Sequence, residues 1–250
     1  MLLVDSHCHI HDKGIFELSP DETLAHAHEN GVDKCITIGT DPQDSLVARD
    51  FAAEHSEVWW TFGYHPNDYN GDKAQLEADI TSVKPALSDQ KLVAIGEIGL
   101  DYHFDGYNKD FQRYLLENML QIAQDYNLPV SFHVRDAFDD FWPILDNFYI
   151  PTSVLHSYSD SKKNLKEGLE RGFYFGVNGL ATFADIVHPP LERILLETDA
   201  PFLTPKPFRG TINMPGYVKN IAGWAAEYYQ QDFSTVSKIT TENVEKVFKI

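Results

Sequence analysis

Short apolar runs recur along this chain, and five of them end in a side chain able to bind a divalent cation. Leu2-Leu3-Val4 leads to Asp5-Ser6-His7-Cys8-His9, Val93-Ala94-Ile95-Gly96 to Glu97, and Val130-Ser131-Phe132 to His133. Val154-Leu155 leads to His156, and Ile194-Leu195-Leu196-Glu197-Thr198 to Asp199. Apolar runs of this length read as buried strands. Strand-like stretches fall at 2–9, 35–40, 58–65, 92–98, 129–135, 153–158, 173–178 and 193–199, eight in all. Helical patterns fill the gaps at 20–30, 45–55, 73–87, 109–126, 137–147 and 161–171, with Gly31 and Gly172 at expected helix C-caps. Two closing helices follow at 215–230 and 234–248. Eight strands alternating with helices predict an α/β fold, a (β/α)8 TIM barrel whose strand tips gather at one mouth.

The crossover between the seventh and eighth strands is thin. Only fourteen residues, 180–193, are available, and Pro189-Pro190 interrupts them. A parallel crossover needs about a dozen residues, so only a short helix is expected there, with loose cover over the barrel.

Composition adds bounds. At 250 residues the chain suits one barrel domain spanning 1–250, and 43% apolar content is that of an ordinary globular protein. No stretch approaches the roughly 20 apolar residues of a membrane span, and the N-terminus lacks the pattern of a signal peptide. No membrane association is expected. Cys8 and Cys35 make no disulfide framework, which points to a reducing, cytoplasmic setting. The net charge of −18 argues against a broad nucleic-acid footprint. Bound divalent ions would restore positive charge at the one place a phosphate must sit.

The candidate ligands are read residue by residue. In a strand, His7 and His9 share a face, and Asp5 lies on that face one step deeper, where it can orient a histidine. Glu97 stands between Gly96 and Gly99, which permit close backbone approach; its two oxygens can bridge two cations, or it can belong to a buried ion pair. His133 is a candidate ligand, and Arg135 on the same face either holds a phosphate or locks the rim in a salt bridge. His156, taken alone, can also be a core histidine. Asp199 ends the eighth strand beside the first; it can bind a metal and accept a proton from an activated water. His65, in Gly63-Tyr64-His65-Pro66, is a ligand, a phosphate donor or a general acid. Asp101 reads as a turn or orienting residue, and Glu197 as structural. The chain has no G-x-S-x-G, P-loop or dinucleotide fingerprint. A metal-dependent hydrolase is the expectation.

Several motifs, in order, resemble the TatD family of metal-dependent deoxyribonucleases, within the amidohydrolase-like barrels. They are Asp5-Ser6-His7-Cys8-His9, Gly63-Tyr64-His65-Pro66, Gly96-Glu97-Ile98-Gly99-Leu100-Asp101-Tyr102, Glu197-Thr198-Asp199-Ala200-Pro201, Leu203-Thr204-Pro205 and Arg209-Gly210-x-x-Asn213-x-Pro215. The resemblance reaches Thr241-Glu242-Asn243 and so covers nearly the whole chain. It implies two divalent ions, one held by His7, His9 and Asp199, the other by His133 and His156, with Glu97 between them. It implies cleavage of DNA, often from a single-stranded or 3′ end, supported by Mg²⁺ or Mn²⁺, whereas the imidazole-rich set suits Zn²⁺ or Mn²⁺. Some relatives remove D-amino acids from tRNA, so tRNA is an alternative substrate. In this reading Asp199, Glu97 and His65 carry the chemistry, and Arg209, Arg135 and Asn213 hold the substrate. The short crossover, Ile212 and Met214 depart from the family's habit near the substrate rim.

Overall fold

The computed structural model describes every residue except 1, 2, 15 and 69–71; Leu2 of the first expected strand lies outside the described residues. Eight parallel strands follow one another in a single sheet: β1 (Leu3–Cys8), β2 (Val32–Thr37), β3 (Val58–Tyr64), β4 (Leu92–Asp101), β5 (Val130–Arg135), β6 (Val154–Leu155), β7 (Tyr174–Val177) and β8 (Ile194–Leu196). A parallel bridge from Cys8 to Ala200, with the His9 N–H donating to the Ala200 carbonyl, joins the end of β8 to β1 and closes the barrel. The eight-stranded barrel expected from the apolar runs is the fold observed.

Helices cover the outside. They are α1 (Pro20–Glu29), α2 (Pro42–Glu54), α3 (Lys73–Val83), α4 (Lys109–Tyr126), α5 (Phe138–Leu145), α6 (Lys162–Glu170), α7 (Val218–Tyr228) and α8 (Phe233–Phe248). Their starts are chemically marked: Ser19 and Glu22 form a capping box, and Asp41, Asp72, Asn108, Ser161 and Asp232 cap α2, α3, α4, α6 and α8. The expected start of α2 at Ser45 was three residues late, because Asp41-Pro42 supplies both cap and first turn. Pro20 and Pro42 each lie inside a first turn, where a missing N–H costs nothing.

The strand tips end earlier than the apolar runs imply. β6 has two residues and β8 three, and beyond them Ser157 and Asp199 take left-handed conformations with φ of 49° and 58°. β2 begins three residues before the expected stretch, since the polar Asp33-Lys34 hides the strand in the pattern while Val32 is buried. The 180–193 crossover holds no α-helix. It carries two 3₁₀ turns, Gly179–Thr182 and Leu191–Arg193. Cover there comes from the C-terminal pair: α8 packs on β1, β8 and the Leu191–Arg193 turn, and α7 on the Gly179–Thr182 turn. The Tyr229 hydroxyl donates to the Pro189 carbonyl, and the Trp224 ring lies 4.8 Å from that of His188.

Candidate metal centre

Two irregular strands aim the central ligands. The β1–β2 register shifts between Asp5 and Cys8, and the β3–β4 and β4–β5 registers both shift around Gly96-Glu97. A bulge re-aims the side chain it carries. Close approach fixes the glycines: a Cβ at Gly99, whose φ is +157°, would lie 1.7 Å from the His133 carbonyl oxygen, and one at Gly63 2.2 Å from the Glu97 nitrogen. Only glycine fits there, so β3, β4 and β5 press together around Glu97.

Glu97 sits at the centre. One oxygen, Oε2, lies 3.4 Å from His7 Nε2; the other, Oε1, lies 2.9 Å from His133 Nδ1 and 3.4 Å from His156 Nε2. Asp199 Oδ1 stands 3.6 Å from both His7 Nε2 and His9 Nε2. His7 and His156 stack with ring centroids 3.6 Å apart. Three sets of potential ligand atoms each gather within 4.8 Å: His7, His156 and Asp199; His7, His9 and Glu97; His65, Glu97 and His133. The six expected metal ligands and His65 therefore meet in one place. The three sets overlap at His7 and Glu97, and the Asp199 contacts to His7 and His9 and the Glu97 contacts to His133 and His156 follow the expected pairing.

Surrounding groups orient these rings. The Ile38 carbonyl lies 3.1 Å from His9 Nδ1, leaving Nε2 to face Asp199. Asp101 Oδ2 lies 3.0 Å from His133 Nε2, and Glu197 Oε1 lies 3.0 Å from His156 Nδ1. Glu197 also accepts from the Ser157 N–H at 2.7 Å. Carboxylates behind histidine ligands fix ring orientation and raise basicity; Asp101 takes the orienting place read from sequence, whereas Glu197 does more than the structural role expected of it. Asp5 corrects another expectation: it accepts from the Thr198 N–H and hydroxyl and the His7 backbone N–H rather than from a histidine ring.

The electrostatics fit a cation. Burial pushes the Glu97 carboxyl up, but the His156 and His7 imidazoles and the His133 hydrogen bond outweigh it and hold it well below the usual range. Asp199 is lowered in the same way, burial being overcome by His156 and His9. Burial pulls His133 down, but Asp101 and Glu97 carry it up to about 9. His156, opposed by burial, is lifted to about 10 by the charges of Glu197 and Glu97. His7 goes the other way: burial and neighbouring His156 lower it. It is 1% exposed, its Nδ1 has no hydrogen-bond partner, and its Nε2 has no approach closer than the long 3.4 Å of Glu97 Oε2. A buried polar atom left unpaired costs about 1–3 kcal/mol. A cation on the free lone pair of a neutral imidazole removes that cost, so the residues present fit a metal.

The substrate-side expectations divide. The cavity over the site, about 420 Å³, is lined by His9, Thr40, His65, Arg135, Phe104 and Phe202 among others. Arg135 is exposed at its mouth, its guanidinium 5.4 Å above the Phe104 ring. Arg209 does not line this cavity. It lies 3.8 Å over the Phe183 ring and donates to the Thr204 carbonyl. Asn213 corrects the expectation of a substrate contact: it is fully buried, and its amide donates to the Thr198 and Phe202 carbonyls, bracing the loop after β8. Sequence reasoning missed His11, whose Nε2 lies 2.8 Å from Asp44 Oδ1 and whose Nδ1 lies 2.6 Å from Thr37 Oγ1 beneath the rim. Only a third histidine two residues past His9 marked it.

Residues 4–249 match the family model described as TatD related DNase. The chain belongs to that family. An uncharacterized metal-dependent hydrolase of Bacillus subtilis, YabD, is 33% identical over the full length of both chains. The 3′-5′ ssDNA/RNA exonuclease TatD of Citrobacter rodentium is 32% identical, with 92% of each chain covered. Among solved structures, the TatD homolog YJJV of Escherichia coli K12 superposes with a TM-score of 0.89 at 27% identity, over 99% of this chain and 98% of that one. This TatD-family chain is thus a metal-dependent hydrolase on a TIM barrel. No helix among the described residues is long and apolar enough to cross a membrane.

Proposed function

We propose that this TatD-family hydrolase is a two-metal exonuclease that removes nucleotides from the 3′ end of single-stranded DNA, in a cytoplasmic setting. The observation that carries the reading is Glu97, whose two oxygens face different imidazoles, Oε2 that of His7 and Oε1 those of His133 and His156. A carboxylate so placed would be able to serve two cations, one on each oxygen. The 32% identical relative named as a 3′-5′ ssDNA/RNA exonuclease supports the substrate class.

His7, His9, Glu97, His133, His156 and Asp199 would hold the ions, and His65 stands within the same reach. When bound, the ions supply positive charge against the phosphate and acidify a water. Asp199 carries the proton-accepting role: its carboxyl is held below its usual range, so it is ionised at neutral pH, and it faces the open cavity. Asp101 and Glu197 keep His133 and His156 aimed at the centre. Arg135 at the rim offers a planar fork of donors to a phosphate. His65 Nδ1 is engaged 3.0 Å from Asp68 Oδ2, leaving Nε2 for a ligand or a leaving oxygen.

The test uses one oligonucleotide labelled at either end and incubated with Mg²⁺, Mn²⁺ or Zn²⁺. The 3′ label should leave as mononucleotide while the 5′ label forms a descending ladder. Asp199→Asn should reduce turnover by about 10²–10⁴-fold, the usual weight of an acid–base group. Asn is the right control because Asp199 has a φ of 58°, which Asn tolerates. Metal-loaded protein that leaves DNA intact but hydrolyses D-aminoacyl-tRNA would replace this reading.

A further inference from the structure

Three phenylalanines among the described residues are exposed, Phe104 at 56%, Phe202 at 53% and Phe208 at 36%, and the first two line the cavity over the metal centre. Exposed aromatics gathered at a site mark recognition more often than chance. Phe104 follows β4 and Phe202 follows β8. In a closed barrel ordered β1 to β8, strands four apart are diametrically opposed, so the two rings stand on opposite sides of the mouth.

Both are held in place. The Phe202 N–H donates to the Asp199 carbonyl at 2.8 Å, its own carbonyl accepts from buried Asn213, and its ring meets His9 edge-on at 6.1 Å. Phe104 stacks beneath the Arg135 guanidinium at 5.4 Å and meets the His103 ring at 5.2 Å. His103 is in turn fixed 2.8 Å from Asp136.

Away from the metal ions, charge gives a nucleic acid little to hold. Among the described residues, the cavity is lined by Asp12, Asp44, Asp68, Glu97, Asp101 and Asp199 against Arg135 as the lone Arg or Lys. The whole chain carries −18. Affinity for nucleic acid usually comes from clustered cations neutralising phosphates, and this rim has none to spare. Base–aromatic stacking is the other general source, and it tolerates any sequence because every base has a π-face.

We propose that Phe104 and Phe202 are base-stacking platforms that grip unpaired nucleotides on either side of the scissile phosphate, with Arg135 placing a phosphate donor beside the Phe104 base. The proposal rests on the nuclease reading above. Paired bases are already stacked within the duplex, so the platforms select single strands and frayed ends.

Phe104→Ala and Phe202→Ala are compared with wild type on a single-stranded oligonucleotide and on the same strand carrying tetrahydrofuran abasic residues at its 3′ end. Each alanine should raise KM by about tenfold, the scale of one lost stack, with kcat little changed, and Phe→Trp should restore it. The abasic strand should cost the wild type a similar factor and cost the alanine variants little more. Alanine variants with wild-type KM, or equal losses on intact and abasic strands, would overturn the platforms while leaving the nuclease standing. Wild-type protein that cuts neither strand with any metal would overturn the nuclease reading and the platforms together.

Discussion

At the scale of single residues, the metal centre depends on atoms that no ligand touches directly. Gly176 shows this most sharply. A Cβ there would fall 2.2 Å from Glu197 Oε2 and 2.4 Å from its carboxyl carbon. Gly176→Ala therefore drives Glu197 away from His156 Nδ1 and from the Ser157 N–H, without altering any ligand. Loss of an orienting partner behind a histidine ligand weakens metal affinity by about 10–100-fold. Metal titration followed by calorimetry should show that loss in Gly176→Ala, and wild-type affinity in the variant would show that Glu197 does not hold His156. The six candidate ligands were legible in the sequence because they end apolar runs, where barrel geometry delivers side chains to a common mouth. Of their supports, Asp101 was legible as an orienting or turn residue, but Glu197 was not. Glu197 lies one step deeper than Asp199 on the same run, and nothing in the alternation pattern names the histidine of another strand that it faces. Asn213 was misread for a related reason: a polar residue in a loop looks available to a substrate, whereas its amide is spent on two backbone carbonyls.

At the scale of elements, the helices were readable from caps and periodicity, and the crossover from its length. The cover over that crossover was not readable, because it comes from α7 and α8, far along the chain. This puts weight on α8, which packs on both β1 and β8 at the seam of the barrel. Its first turn is held by Asp232, whose carboxylate accepts from the Thr235 N–H and from the Ser234 and Thr235 hydroxyls. Those donors, the Ser234 hydroxyl first, draw the Asp232 carboxyl down to about 2 from 3.8. A depressed acid stabilises the fold fully above its unfolded value, and that contribution fades as pH falls through the folded one. Asp232→Ala should therefore melt below wild type at pH 6, and the gap should narrow as pH falls below 4 toward 2. A gap that stays constant across that range would mean the charge of the cap is irrelevant. Asp232→Asn, which still caps, should melt closer to wild type than the alanine variant at pH 6.

At the scale of the whole molecule, the metal centre and the acidic surface pull in one direction: both need cations. In the metal-free protein His133 and His156 fill part of that need with protons, being lifted to about 9 and about 10, against the pull of burial, chiefly by the carboxylates around them. Two consequences have opposite signs. A histidine with a raised value stabilises the metal-free fold fully below its unfolded value of 6.5, and that contribution disappears as pH climbs through 9 to 10. Metal ions, in contrast, must displace those protons, so their apparent affinity rises with pH over the same range. The melting temperature gained on adding a saturable amount of Mn²⁺ or Zn²⁺ should therefore be small near pH 6 and grow steadily toward pH 9, because the competitor leaves as the metal-free state weakens. Calorimetric titration at pH 7 in two buffers of different ionisation enthalpy should count protons released into solution on loading. A buffer-independent heat, with a thermal gain that does not change between pH 6 and 9, would mean that the imidazoles are already neutral before the metal arrives. The carboxylates would then not be sharing protons with them, and the pairing of Glu97 with His133 would have to be a contact between a carboxylate and a neutral imidazole.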